Sequence, residues 1–354
     1  MDSIDITYSG LLISANTSAG LSLLIVMTQK WHGRFSHDTS HGPQKFHVSL
    51  TPRVGGIAIF IALIVAWKIS SQPLAHLLAP ILIAGLPVFA LGVAEDISKR
   101  IHALQRLLAA ILTGILAWWL TGYTLNHLDI PPVDFLLAYL PLSIAFTAFA
   151  VAGLTNAINI IDGFNGLAGG TVVISFSALG IISWQAGDFL LAQLCLIMVV
   201  VLMGFLLFNY PFGKIFLGDG GAYLLGFILA WVAVMLPMRN PQVSVWAPLL
   251  VCSYPINEAV FSMTRRIWNK TDLHEADSSH LHSLIKKKII IPHHGNLKPY
   301  LRNSLVAPYC WAYALFFAAV SIPLKNHTEL LMAAWVASFA LYTIIYRRLF
   351  LIKV

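Results

Sequence analysis

Residues 188–238 read DFLLAQLCLIMVVVLMGFLLFNYPFGKIFLGDGGAYLLGFILAWVAVMLPM. Asp188 opens the stretch, and from Phe189 to Phe208 no charge follows. A short polar hairpin, 209–220, then gathers Asn209, Lys214 and Asp219 before a second uncharged run over 221–238. A helix needs about 20 apolar residues to cross the hydrocarbon of a bilayer. The spacing therefore predicts two membrane helices, near 188–208 and 221–238, joined at one membrane face by a loop that carries chemistry.

The rest of the chain repeats this pattern. Hydrophobic residues make up 58% of the 354 positions and charged ones 10%, and the mean hydropathy is +0.77. A water-soluble chain of this length needs far more charge to cover its surface. Eleven runs are long enough to span, near 8–28, 54–69, 75–94, 103–121, 135–155, 167–186, 188–208, 221–238, 243–264, 304–323 and 329–346. The expectation is an all-α polytopic membrane protein with a single integral-membrane domain over 1–354 and about 11 transmembrane helices. The first run does not read as a secretory leader, because residues 1–10 hold Asp2 and Asp5 but no Lys or Arg.

Basic residues give the orientation. With the N-terminus outside and the C-terminus cytoplasmic, the inward loops are 29–53, 95–102, 156–166, 209–220, 265–303 and the tail from 347. Those loops and their edges hold every one of the 22 Lys+Arg except Lys68, Arg239 and Lys325. Such a bias is the positive-inside signature, so the formal charge of +7 reports topology and argues against a nucleic-acid partner. The cysteines, Cys195, Cys252 and Cys310, are three and lie in apolar runs, which does not suit a disulfide framework. The outward loops (70–73, 122–134, 238–242 and 325–327) are too short for a catalytic domain.

The inward loops concentrate the polar chemistry. The first carries Glu95–Asp96 with Lys99, Arg100 and Arg106 behind it; the second is Asn156-Ala-Ile-Asn159-Ile-Ile-Asp162-Gly-Phe-Asn165-Gly166. Asn156, Asn159 and Asp162 recur every three residues, so on a helix they share a face. The third, 209–221, holds Asn209, Phe216 and Gly218-Asp219-Gly220-Gly221, and the fourth holds Asp277-Ser-Ser-His280-Leu-His282 upstream of Lys286–Lys288 and within a candidate amphipathic helix, 279–291. Asp and Asn oxygens suit a hard cation such as Mg²⁺, which also bridges to phosphates. Lys and Arg neutralise a diphosphate, and glycines at helix starts expose N–H groups to anions. Carboxylates at a membrane boundary are costly unless paired or metal-bound, which makes them functional candidates. Plainer roles exist for each: a helix N-cap for Asp219, polar glue between helices for the Asn/Asp face, a helix-end ion pair for Glu95–Asp96, solvated loop residues for His280 and His282, lipid headgroups for Lys286–Lys288, and packing for Phe216.

Taken together, NAINIIDGFNGLAGG (156–170), FLGDGG (216–221), Glu95–Asp96 and the HLH of 280–282 resemble the polyprenyl-phosphate N-acetylhexosamine-1-phosphate transferase family. Gln44-Lys-Phe-His47 and Thr51-Pro-Arg53-Val-Gly55-Gly56 are similar too, and the signatures keep the family's order from about residue 38 to 288. The resemblance implies transfer of a sugar 1-phosphate from a UDP-sugar, by default UDP-GlcNAc, to undecaprenyl phosphate, with release of UMP. It implies Mg²⁺, with Mn²⁺ as a substitute, an inner-membrane location and a cytoplasmic active site, and it leaves a homodimer open. By the same resemblance Asp219 is a metal ligand together with Asn159 or Asp162, and Asp96 lies near the lipid phosphate with Lys99. Phe216 and Asn165 fall at the uracil contact, His280 and His282 on the sugar-phosphate side, and Asn156, Asn209 and Arg106 among the substrate-binding residues.

Three positions depart from the family pattern. Glu95–Asp96 replaces paired aspartates, which favours Asp96 as the key acid. Asn165 stands where many bacterial members have Asp and eukaryotic relatives have Asn. Ser278 stands where the family has Arg, which shifts phosphate contacts toward Arg265, Arg266 or Lys286. A phosphate monoester with a second pKa near 6 is already ionised at pH 7, so Asp96 is expected to position the lipid phosphate more than to remove a proton. The rival class is a transporter; acids gathered at one face, with no evident inverted repeat, argue against it.

Overall fold

A computed structural model describes residues 7–36, 51–270 and 279–352. The elements among the described residues are all helices: α1 (Tyr8–Ser36), α2 (Gly55–Ile69), α3 (Gln72–Ser98), α4 (Ala103–Thr121), α5 (Pro131–Leu137), α6 (Leu140–Ile161), α7 (Leu167–Ala186), α8 (Phe189–Asn209), α9 (Gly218–Arg239), α10 (Trp246–Val251), α11 (Ser253–Trp268), α12 (Leu281–Ile285), α13 (Ile291–His294), α14 (Pro299–Ser304), α15 (Val306–Leu324) and α16 (Thr328–Leu351), with a π turn at Lys286–Ile290 between α12 and α13. This is a multi-pass membrane protein.

Nine helices among the described residues are long and apolar enough to cross a bilayer. The other two expected spans take shorter forms. Run 54–69 is α2, only 15 residues long, about 22 Å at 1.5 Å per residue. Run 243–264 is broken at Cys252 into α10 and α11. Pro255, in the first turn of α11, has no N–H to donate back to Val251 of α10, which suits a break just upstream. Two helices also run further toward the polar-loop end than the apolar pattern alone suggests. Glu95 and Asp96 lie in the last turn of α3, and Asn156 and Asn159 in the last turns of α6. Backbone hydrogen bonding favours continuing a helix through the interface, and here it carries polar side chains with it.

The core is organised around α9, buried along nearly its whole length. Small residues let neighbouring backbones touch it: a Cβ on Gly92 of α3 would lie 2.6 Å from Gly220 Cα, and one on Gly226 would lie 2.8 Å from Thr155 Cα of α6. Such close approach through small side chains is how helices associate where lipid is as apolar as leucine. Its consequence is positional, because the N-terminus of α9 is driven into the middle of the bundle end that carries all four polar loops.

Candidate active site

Asp219, in the first turn of α9, is the centre of the site. Its Oδ1 accepts from Arg53 Nη2 at 3.1 Å and Asn159 Nδ2 at 3.1 Å, and its Oδ2 accepts from Arg106 Nη1 at 2.7 Å. Asn159 Oδ1 in turn lies 3.4 Å from the Tyr223 hydroxyl, which donates to it. Four segments distant in sequence thus meet on one carboxylate.

Arg53 reaches this point through backbone pairing. Phe216 N–H donates to Pro52 O at 2.8 Å, Gly55 N–H to Phe216 O at 2.9 Å and Gly56 N–H to Leu217 O at 2.9 Å. The strap 52–56 therefore lies along 216–217 and delivers Arg53 over the start of α9. Gly218 has φ +75°, and a Cβ there would sit 2.6 Å from Asp96 Oδ2, so glycine serves both the left-handed turn and the close approach.

Asp96 occupies the end of α9 itself. Its Oδ1 accepts from Asp219 N–H at 2.8 Å and its Oδ2 from Gly220 N–H at 3.0 Å, with Arg53 Nη2 3.5 Å from Oδ1. A carboxylate from α3 thereby supplies the partner for two N–H groups that a helix start leaves unsatisfied, at the positive end of the helix dipole. The cation beside Asp96 is Arg53. Lys99, expected to assist Asp96, is exposed at the C-cap of α3 in the left-handed conformation, φ 56°. Glu95 accepts from Ile101 N–H at 2.6 Å and secures the α3–α4 turn.

Asp162, at the C-cap of α6, is half-buried. Burial pushes its carboxyl up to about 7, with Arg53 pulling it down and Asp219 pushing it up. Among the described residues its carboxylate has no hydrogen-bond partner, which leaves it available to a ligand.

A second cluster abuts the first. His280 and His282 are buried and stack with ring centroids 5.2 Å apart, which replaces the solvated-loop alternative. Both face Glu258 of α11: Glu258 Oε1 lies 3.0 Å from His280 Nδ1, and Oε2 lies 3.7 Å from His282 Nδ1. His282 meets Phe164 edge-on at 5.6 Å, which joins this cluster to the Asp162 loop. Arg265 steadies the segment by donating to Ser279 O at 2.8 Å and to the Tyr346 hydroxyl at 2.5 Å. Lys286, expected at lipid headgroups, is instead buried, its ammonium over the Phe164 ring and donating to Asn303 Oδ1.

The remaining expected residues frame these groups. Asn209 accepts from Gly166 N–H at 2.7 Å and donates to Ile215 O at 2.8 Å, tying the 156–166 and 209–220 loops together. Asn165 is buried and donates to Pro211 O at 3.1 Å and Tyr300 O at 3.3 Å. Asn156 donates back to Ala152 O at 2.8 Å. Phe216 is half-buried beside the strap. Asp277, Ser278 and residues 44–47 lie outside the described residues.

The undecaprenyl-phosphate alpha-N-acetylglucosaminyl 1-phosphate transferase of Yersinia pestis is 32% identical over 257 residues, 69% of this chain and 68% of that protein. The model of glycosyl transferase family 4 matches residues 78–237. The chain belongs to glycosyl transferase family 4. A family member of Escherichia coli (strain K12) with the same name is 30% identical over 254 residues, 69% of this chain and 67% of its own length. A probable undecaprenyl-phosphate N-acetylglucosaminyl 1-phosphate transferase of Bacillus subtilis (strain 168), 29% identical over 243 residues, is matched over 68% of this chain and 66% of its own length. The chain thus spans about two thirds of the length of the curated relatives it matches.

Two residues of this family member escaped sequence reasoning as site residues. Arg53 was visible only as part of a motif, and its place depends on pairing with a strap far along the chain. Glu258 had a signal: it is the one acid in the apolar run 243–264, and an ionisable group inside a membrane segment is a functional candidate by default.

Proposed function

We propose that this protein transfers N-acetylglucosamine 1-phosphate from UDP-GlcNAc to undecaprenyl phosphate on the cytoplasmic face of a bacterial inner membrane, releasing UMP and starting a cell-surface polysaccharide such as an O-antigen. The names of its relatives support the substrates. The observation that carries the reading is Asp219, held by Arg53, Arg106 and Asn159 beside Asp162 at one end of a membrane bundle. Cations and oxygen donors at a bilayer boundary are what a lipid phosphate and a nucleotide diphosphate require.

The transfer needs one bond made and one broken. An oxygen of the lipid phosphate bonds to the sugar-bearing phosphorus of UDP-GlcNAc, and that phosphorus separates from the bridging oxygen, which leaves on UMP. The lipid phosphate is mostly dianionic at pH 7, so no base is required. Asp96, with both oxygens held by α9, serves to fix that helix end and to orient Arg53. Arg53 and Arg106 offset the diphosphate charge, and the histidine cluster lies toward the sugar phosphate. Phe216 borders the uracil position.

The donor set fits Mg²⁺, or Mn²⁺ in its place: Asp219, Asp162 and the Asn159 amide oxygen are hard oxygen ligands. Bound there, the metal would supply charge neutralisation on the diphosphate. The test is to incubate the purified protein and undecaprenyl phosphate with a panel of radiolabelled UDP-sugars, including UDP-MurNAc-pentapeptide and UDP-linked deoxy-amino sugars. Lipid-linked product and UMP from UDP-GlcNAc are expected; UDP as the main nucleotide product would overturn the reaction class.

A further inference from the structure

Glu258 is 1% exposed within α11, and removing a carboxylate from water costs several kcal/mol unless its partners compensate. The partners are specific. Oε1 faces His280 Nδ1 at 3.0 Å and accepts from Leu281 N–H at 3.2 Å, and Oε2 faces His282 Nδ1 at 3.7 Å. Anchoring of the segment does not need this carboxylate, because Arg265 already holds Ser279 O and Tyr346. A carboxylate accepts and never donates when ionised, so His280 Nδ1, within hydrogen-bond reach at 3.0 Å, carries the hydrogen. His282 Nδ1, at 3.7 Å, makes no hydrogen bond to Oε2, but the buried negative charge it faces favours a hydrogen over a lone pair there as well. On the other side of the ring, His282 Nε2 lies over Gly163, 3.4 Å from where a Cβ would stand, next to Asp162.

We propose that Glu258 is a positioning residue for the transfer: it holds His280 and His282 in the Nδ1–H form and turns Nε2 of His282 onto the Asp162–Phe164 loop, where the sugar phosphate is to be received. The catalytic part of this statement rests on the transferase reading above; the placement of the rings does not. Gln in place of Glu258 has one oxygen and one NH₂. With the oxygen kept by His280 and Leu281 N–H, the NH₂ confronts His282 Nδ1, which must then accept. The hydrogen of His282 moves to Nε2, and the atom offered to the site changes character.

Ring-¹⁵N spectra of purified protein labelled at histidine test the placement, with the two signals assigned by their loss in His280→Ala and His282→Ala. Both rings are expected as Nδ1–H in the parent, and His282 as Nε2–H in Glu258→Gln. Nε2–H rings in the parent, or no change in the variant, would overturn the proposal. Kinetics test the consequence. Glu258→Gln should lower kcat by about 10- to 100-fold, the range for partners that orient a functional histidine, with KM for UDP-GlcNAc little changed. Glu258→Gln/His282→Ala should be no slower than His282→Ala alone, because both changes act through one ring; losses that multiply would contradict this. Glu258→Asp keeps the charge and should run between parent and Gln variant with both tautomers retained, and a rate at or below that of the Gln variant would count against positioning. If the parent releases no UMP from any UDP-sugar, the transferase reading falls while the spectra still decide the rings.

Discussion

Both ends of α9 carry an aspartate and an arginine, about 30 Å apart by helix rise, and the two ends use them differently. At the far end Asp188 caps α8 by accepting from Leu191 N–H at 3.1 Å, and takes Arg239 Nε at 2.6 Å, Arg239 Nη2 at 2.9 Å and Asn240 Nδ2 at 3.3 Å. One carboxylate meets one guanidinium as a fork, the charges balance, and burial is tolerated. At the near end three carboxylates, Asp96, Asp162 and Asp219, face two guanidiniums, Arg53 and Arg106, delivered by separate segments. The fork at the far end closes a structure. Among the described residues, the acids that meet at the near end outnumber the guanidiniums that touch them, which leaves room there for a further cation. The same residue types therefore form a closed ion pair in one place and an open, acid-rich cluster in the other, and partner count and charge balance distinguish them.

The comparison breaks first on topology, where the effect is all or none. Cysteine introduced at Lys298, exposed beyond the histidine cluster, and at Asn126, exposed at the far end, should respond oppositely to an impermeant thiol reagent on intact cells. The native cysteines are buried, so background should be low. Asn126→Cys should label and Lys298→Cys should not; the reverse would place the acidic cluster away from a cytoplasmic nucleotide sugar.

Asp219→Asn comes next. It keeps the volume but removes the charge on which Arg53, Arg106 and Asn159 converge. A fall in UMP release of about a hundredfold or more is expected, in line with losing a charge that organises a metal–diphosphate site, with membrane insertion unchanged. Turnover within a few-fold of the parent would move the centre of the site elsewhere.

How much of this was legible in the sequence follows from physical scale. Asp96, Asn159, Asp162 and Asp219 stood out because an acid or amide is conspicuous beside apolar runs, and a membrane leaves few places for one. Their order at one bundle end follows from helix length. Arg53 was obscure as a site residue because its position depends on a ladder between 52–56 and 216–217, a pairing that no local pattern encodes. The amides of Asn165 and Asn209 also bond to backbone of neighbouring loops, while Asn165 Oδ1 is buried without a hydrogen-bond partner among the described residues; residue type does not reveal which partners an amide takes. Lys286 looked like a headgroup contact from its lysine neighbours, and only folding shows it turned inward.

At the far end, Asp188→Asn should spare the chemistry and lower stability. Leaving Arg239 half-buried without its carboxylate costs about 3–5 kcal/mol in comparable buried pairs. The melting temperature in detergent should fall by several degrees, while the rate per folded molecule stays near the parent's. A variant that melts normally but turns over slowly would erase the distinction between the two ends.

The smallest effect concerns Lys286, a cation buried at the near end with its ammonium over the Phe164 ring and donating to Asn303 Oδ1. Burial first, and Arg302 second, lower its pKa to about 7, while a lysine in an unfolded chain titrates near 10.4. Between those values the unfolded chain holds a proton that the native chain has released. Stability must then rise with pH across that window and be flat, for this group, below it. Lys286→Met keeps the length of the side chain and removes the titration, so the gain in melting temperature from pH 7 to pH 9 should be smaller than in the parent. Asp188→Asn supplies the control: it should lower the whole melting curve without changing its slope over the same range. An unchanged slope in Lys286→Met would mean that Lys286 keeps its proton in the folded protein, and the near end would then hold one more fixed positive charge.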